Sequence, residues 1–559
     1  MKRFLLPLIY SLMSVLAVNA QDSLYFKAND RFQPNRSLFS TVGLDSVEVL
    51  ARGTTPVFRR YSPDYTNGYA DFRAIGLTAL DGTSLGSVTF GYPGRILWKP
   101  LTSDANYNND YNNPDSRWNF TRSRESEHWV VFWDREFGAD PLNAPSAIDK
   151  NGYTVDMRVD IDDMLIKAEQ FYDTNVDSLH MAYTGEGKSQ LDTYKAAIYL
   201  IYTTEWTAYG GGNDYKVGTL WVNPSTCHPI GHTIAHEIGH SFQYQTYCDH
   251  LLNGGADNKQ SGFQYGLPGS NGGNGFWEQC AQWQAFQNYL SQTLSAYDVN
   301  VWIANHHRHF EHEWQRYASY WEQFYWTETK GRTALGRIWN ESHYPEDGNQ
   351  AYMRIFLNNN YDTLKHELFA YAQKATTFDF AQVRRYASMT TSDRYTFSPL
   401  SIGDGWYQVS YAECVQPTGF NVIKLAVPTA GTQVTFHMKG LPVGSALASG
   451  DAGIQVNGDG KTIGTTTNYN TTAVAGHEGW AYGFVAYQRD GSRVYGDMNL
   501  LSTTNAEVTA TFTVPAETFR LFVVVQGTPN EYRQCPWDEK ESTDDQLPYQ
   551  FKIEGTTLK

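Results

Sequence analysis

The sequence predicts a multidomain protein of mixed class: a β-rich N-terminal region, a central α/β domain that turns mostly helical, and an all-β C-terminal sandwich. Three observations predict it. A chain of 559 residues exceeds what one hydrophobic core supports, so several domains of about 100 to 200 residues each are expected. Near residue 396 the apolar period changes from a helical repeat to alternation. Before residue 120, short alternating runs are cut by Gly, Asn, Asp and Pro.

Residues 1–20, MKRFLLPLIYSLMSVLAVNA, place Lys2 and Arg3 ahead of an apolar run with small residues at Val18 and Ala20. That is the layout of a cleavable secretory signal, and an exported, soluble protein is expected. No cysteine follows the run to carry a lipid, and no later run reaches the roughly 18 apolar residues of a membrane span. Residues 21–120, with DSVEVLARG, ADFRAIGLTAL and GSVTFGY, form the β-rich region and end in the linker-like YNNDYNNPDSRWN.

Residues 121–395 form the central domain. SEHWVVFW supplies a strand, and Ile161, Leu165 and Ala168 share one face of a helix. KAAIYLIYTT and GTLWVNP are strands, the second placed as a sheet edge along which a peptide could lie. PIGHTIAHEIGHSFQYQ follows as a helix with Pro229 in its first turn. The Gly-rich SGFQYGLPGSNGGNG is a loop, and FWEQCAQWQAFQNYLSQ and EHEWQRYASYWEQFYW read as helices. The cluster HHRHFEH, residues 306–312, reads as a solvated helix face, with a second metal as the alternative. Residues 396–559 alternate strictly in FNVIKLAV, TQVTFHMKG and FRLFVVVQG, the pattern of a β-sandwich.

Hydrophobic content of 41% with 18% charged residues excludes a disordered chain. A net charge of -16 argues against nucleic acid or an anionic membrane as partner, since both demand clustered Lys and Arg. Five cysteines in an exported chain predict up to two disulfides, Cys414 and Cys535 being one candidate pair. The aromatic content of 15% makes glycan contact by the C-terminal domain an expectation too, because sugar rings stack on exposed Trp and Tyr.

The chemistry concentrates in His236, Glu237 and His240. On a helix, two His four residues apart rise about 6 Å along the axis and diverge by only about 40°, so both imidazoles reach one ion. Ile234, Ile238 and Phe242 fall on the opposite side. Glu237 then leans beside the metal, placed to take a proton from an attacking water. Gln243 is on the imidazole side and can orient a ligand. A third ligand at the HExxHxxGxxH spacing is excluded, since residues 243 and 246 are Gln and Thr. Glu278, bracketed by Phe276, Trp277, Ala281 and Trp283, is the preferred third ligand, because a carboxylate there needs a partner. Asp249 and Asp257 are the alternatives. Tyr317, ahead of Tyr320, is the candidate donor to a developing oxyanion.

HEIGHSFQ followed by Glu278 resembles the HExGHxxQ pattern of the enhancin-like and mucin-targeting zinc metallopeptidases, within the gluzincin group. Together with SEHWVVFW and the Tyr/Trp-rich stretch near residue 317, the chain also resembles an uncharacterised secreted bacterial domain family that shares this core. The resemblance implies an α/β zincin-like catalytic domain, Zn2+ on His236, His240 and Glu278, and Glu237 as base. It implies hydrolysis of peptide bonds in extracellular proteins or glycoproteins. The other reading is a glycan- or protein-binding surface protein on an inactive zincin scaffold.

Overall fold

The computed structural model describes residues 96–98, 115–255, 262, 263, 265, 273–457, 460–471, 474–535, 537 and 541–559, with the backbone of five strands between residues 40 and 89. The expected signal at 1–20, most of the linker-like stretch and most of the glycine-rich loop lie outside the described residues. The chain forms two compact units, Met1–Ala256 and Asp257–Lys559. No described helix is long and apolar enough to cross a membrane.

The first unit is built on an eight-stranded mixed sheet. Its strands are β1 (Val47–Arg52), β2 (Thr55–Arg60), β3 (Ile96–Leu97), β4 (Ser123–Glu125), β5 (Trp129–Trp133), β6 (Tyr194–Leu200), β7 (Ala208–Asn213) and β8 (Val217–Val222). They lie in the order β7-β8-β6-β5-β4-β2-β1, and β3 pairs with β6. The central strands β5, β6 and β8 are parallel, and every residue of β5 and β8 is buried. Continuous apolar runs such as WVVFW are what two covered faces require. Register places Tyr199 between Phe132 and Trp221, and their rings stack at 5.8 and 5.6 Å between centroids. Lys195 is buried on the same sheet only because its Nζ meets Glu125 at 2.9 Å and donates to the Ser126 carbonyl.

GTLWVNP is not the sheet edge. β8 lies inside, and β7 runs antiparallel along its outer side as the last of the described strands. β7 reads AYGGGN, and its three glycines carry no strand propensity that would reveal it.

Two helices of this unit matter for the site. α1 (Ile161–Asp173) is capped by Asp160, whose carboxylate accepts from the Asp162 and Asp163 N–H groups, and it buries Ile161, Leu165 and Ala168. α2 (His232–Leu252) buries Ile234, Ile238 and Phe242, and its polar side as well. Pro229 does not open it. Gly231 is the N-cap, and Pro229 lies in the connection from a 3-10 turn at Pro224–Cys227.

The second unit combines helices with a β-sandwich. α3 (Gly273–Phe286), α4 (Asp298–Asn305), α5 (Trp321–Lys330), α6 (Ala334–Glu341), α7 (Gly348–Leu357) and α8 (Tyr361–Ala375) come first. The strands of the two sandwich sheets that follow are β9 (Leu400–Gly403), β10 (Trp406–Gln408), β11 (Phe420–Leu425), β12 (Gln433–Gly440), β13 (Trp480–Gln488), β14 (Arg493–Tyr495), β15 (Asn499–Leu501), β16 (Glu507–Thr513), β17 (Thr518–Gly527) and β18 (Tyr549–Glu554). One sheet runs β9-β10-β18-β12-β16 and the other β11-β17-β13-β14, with β15 beside β13. Alternation along β12 sends Val434, Phe436 and Met438 into a core shared with Ile423, Phe484, Val523 and Phe551. α8 is tied to the sandwich through Gln373, which donates to the Phe484 carbonyl, and Gln526, which donates to the Leu368 carbonyl.

Two expectations are corrected in this unit and the first. HHRHFEH is neither solvated nor helical as a whole: His306, His307, His309 and His312 are all buried. The segment forms a ledge for residues 416–420, with the Gln416 N–H donating to the His307 carbonyl and the Phe420 N–H to the His306 carbonyl. The five cysteines are free thiols. Cys227, Cys248, Cys280 and Cys414 are each sealed in packed interiors, where burial pushes the Cys227 thiol up to about 12.

Candidate metal centre

α2 sits against the sheet edge because the strands there lack side chains. A Cβ on Gly210 would stand 2.2 Å from the Glu237 carbonyl oxygen and 2.6 Å from His240 Cβ. One on Gly212 would stand 2.1 Å from the Tyr244 ring, and one on Gly218 2.4 Å from the Ser241 carbonyl oxygen. The helix is also tied down by hydrogen bonds. Ser241 Oγ donates to the Thr219 carbonyl at 2.9 Å, and Gln245 Oε1 accepts from the Gly218 N–H at 3.0 Å. These glycines are the site residues that sequence reasoning passed over. A run of three in a strand was the available signal, since glycine in a strand marks close backbone approach.

His236 and His240 occupy successive turns of α2, with ring centroids 4.6 Å apart and planes at 90°. Both are buried, as is Glu237 between them, at 7%, 6% and 6% exposure for 236, 240 and 237. Gln243 has the expected orienting role: its Oε1 lies 2.8 Å from His240 Nδ1. The amide oxygen accepts, so Nδ1 carries the proton and Nε2 keeps its lone pair. His232, one turn earlier, is held neutral, with burial first and His236 second pushing its imidazolium down to about 4. Asp249 is engaged elsewhere, accepting from the Gln190 N–H at 2.8 Å and the Gln245 amide at 2.7 Å. Asp257 lies outside the described residues.

Glu278 and Tyr317 belong to the second unit. Glu278 is buried on α3 beside Phe276, Trp277, Ala281 and Trp283, and Tyr265 Oη donates to its Oε1 at 3.0 Å. Tyr265 was not foreseen, since loop text around it carries no periodic signal. The stretch containing Tyr317 is not one helix: a 3-10 turn covers Glu313–Gln315 and α5 begins at Trp321. Gln315 donates back to the His309 carbonyl at 2.9 Å and closes that turn. Tyr320 is fully buried, and its hydroxyl donates to the Thr293 carbonyl. Tyr317 is 41% exposed and lines a cavity of about 290 Å³ with Tyr297, Asp298, Trp314 and Arg316.

A family model matches residues 96–559, described as a family of unknown function, DUF6055. The chain belongs to that family. No curated protein matches it. Among solved structures, it is similar to a xylan-binding domain of carbohydrate-binding module family 22, at 10% identity and TM-score 0.16 over 29% of this chain and 80% of that one. It is likewise similar to the C-terminal family 22 module of a Clostridium thermocellum protein, at 10% identity and TM-score 0.15 over 29% and 77%. A third is the family 22 xylan-binding domain from Paenibacillus barcinonensis, at 10% identity and TM-score 0.15 over 29% and 78%. Superpositions this loose transfer neither fold nor ligand.

Proposed function

We propose that this chain is an exported zinc metallopeptidase of the gluzincin type, hydrolysing peptide bonds of extracellular proteins or glycoproteins. His236, His240 and Glu278 are assigned to the zinc. The donor set fits, since two imidazole nitrogens and a carboxylate leave the open position a catalytic zinc needs. One observation carries the reading: His236 and His240 lie buried side by side, and Gln243 fixes the tautomer of His240 with Nε2 unprotonated.

Zinc, when bound, supplies Lewis acidity that polarises a carbonyl and acidifies water. Glu237 is the base, taking a proton at its carboxylate from the attacking water and returning it to the leaving amine. β7, as the edge strand, offers its outer backbone groups to an extended peptide, and the exposed rings of Trp206, Tyr209 and Tyr215 flank it. The Tyr317 hydroxyl is assigned to the developing oxyanion.

The test is cleavage of a denatured protein and of a heavily glycosylated protein by the full chain purified from zinc-containing medium. Fragments are expected from at least one substrate, lost on chelation and regained with zinc. A zinc-loaded chain that cuts neither supports the binding protein on an inactive scaffold instead. Gln243→Leu is expected to weaken zinc affinity by about 10- to 100-fold, because His240 loses the acceptor that orients it. Chelator competition reads the change, and unaltered affinity removes Gln243 from the site.

A further inference from the structure

A row of aromatic rings crosses the sheet of the first unit and stops at its edge. Phe132, Tyr199, Trp221 and Tyr209 are register partners on β5, β6, β8 and β7. The first three are buried, and the row continues from Trp221 to Tyr209 with centroids 5.5 Å apart and planes at 37°. Tyr209, the last rung, is 60% exposed. Its ring lies over Gly211, where a Cβ would stand 3.2 Å from it. Tyr209 seals Trp221 with a small part of its surface, and the larger part stays open to a further rung.

The backbone of β7 is open on the same edge. The Asn223 N–H donates to the Thr207 carbonyl at 3.1 Å, and the Ile201 N–H to the Val222 carbonyl at 2.8 Å. Thr207 therefore bonds toward β8, and by alternation Ala208, Gly210 and Gly212 turn their N–H and C=O groups away from it. No described strand pairs there. Edge strands are commonly blunted by Lys, Pro or another charge, and AYGGGN contains none. The edge is also held in place at both ends. Asn223 is buried, and its amide donates to the Thr203 and Glu205 carbonyls and accepts from the Thr207 N–H. Beyond the other end, Trp98 Nε1 donates to Asp214 at 2.7 Å.

We propose that β7 takes an extended peptide as an antiparallel added strand and selects an aromatic side chain at the one position facing Tyr209. This rests on the reading of β7 as the substrate edge and names the peptides that edge admits. A residue opposite Tyr209 falls in a pair without hydrogen bonds, where Cα atoms approach to about 4.5 Å and side chains are closest. Its side chain projects to the same face as Tyr209, so an aromatic ring there adds the next rung. The two flanking residues face Ala208 and Gly210 and make the backbone bonds. A free sugar has no alternating N–H and C=O groups to meet them. Gly210 also lies against the Glu237 carbonyl and His240 Cβ, so an added strand passes beside the candidate metal ligands of α2, as a substrate does and a second copy of the chain has no need to.

The experiment uses the full chain carrying Glu237→Gln, so that bound peptide is not cut, and fluorescence anisotropy of short labelled Thr/Ser/Gln peptides with one central Tyr. The Tyr peptide is expected to bind about 3- to 10-fold more tightly than its Ala counterpart, the usual worth of an added aromatic pair. Adding Tyr209→Thr, which keeps a good strand former, is expected to make the two peptides equal. N-methylation of either neighbour of the central Tyr is expected to weaken binding about 3- to 10-fold, one backbone bond being lost. N-methylation of that Tyr itself is expected to leave binding unchanged, since its N–H points away from β7. Equal binding of the Tyr and Ala peptides, a preference that survives Tyr209→Thr, or indifference to the place of the N-methyl group overturns the proposal. So does a chain that sediments as a dimer and binds neither peptide, or one that binds a free oligosaccharide through Tyr209 and neither peptide. Wild-type protein that cleaves with no aromatic preference at any fixed position from the cut sinks the ladder and leaves the peptidase standing. Peptides that bind in this register to a chain whose wild type cuts nothing uphold the ladder and sink the peptidase.

Discussion

Glu237→Gln is expected to lower kcat/KM for peptide cleavage by about 100- to 10,000-fold, the usual worth of a positioned general base. Zinc content and thermal unfolding are expected to stay at wild-type values. The amide matches the carboxylate in shape, and the backbone carbonyl of residue 237, which accepts from Ser241 Oγ at 3.0 Å, is untouched. Loss of cleavage with retained zinc is the pattern of a base, because a purely structural site has no work for that carboxylate. Cleavage at an undiminished rate in the glutamine variant removes Glu237 from the mechanism. Loss of zinc together with activity shows instead that the side chain supports the site.

Gly210→Ala is expected to destabilise the chain by about 1 to 3 kcal/mol, the cost of overpacking a filled contact, and to lower zinc affinity with it. The added methyl meets backbone, not a flexible side-chain end, with the Glu237 carbonyl oxygen at 2.2 Å and His240 Cβ at 2.6 Å. α2 has to shift, and His240 shifts with it. Gly211→Ala is the matched control on the same strand. The nearest atoms its methyl meets are in the Tyr209 ring, no nearer than 3.2 Å, and that ring is largely exposed. Thermal unfolding and metal content of the two variants decide the matter: equal behaviour of Gly210→Ala and Gly211→Ala shows that the strand does not set the helix position.

What was legible followed from local pattern. The two-residue period of TQVTFHMKG announced β12 and the sandwich core, since Val434, Phe436 and Met438 lie on one face whatever their partners are. His236, His240 and Gln243 fall on one side of any α-helix that contains them, so the imidazole pair and its orienting amide were visible in the letters alone. What escaped was pairing over long separations. The edge position passed from GTLWVNP to β7 because strand order depends on which strands meet, and a glycine run hides its partner helix. Pro229 suited a first turn by type, yet the chain enters the helix only at Gly231. Cysteine number implied bridges that burial in separate packed interiors denied.

By itself, then, the sequence determined the element types, the alternating sandwich strands and the spacing of His236, Glu237 and His240, all consequences of backbone periodicity acting within a few residues. Only the tertiary structure decided that β7 lies under α2, that Tyr265 reaches Glu278, and that Asp544 returns to His309 and His312 from more than two hundred residues along the chain. The reason is physical: periodicity is enforced by neighbouring peptide units, whereas a contact between distant residues exists only after the intervening chain has folded and offset its loop entropy by burial.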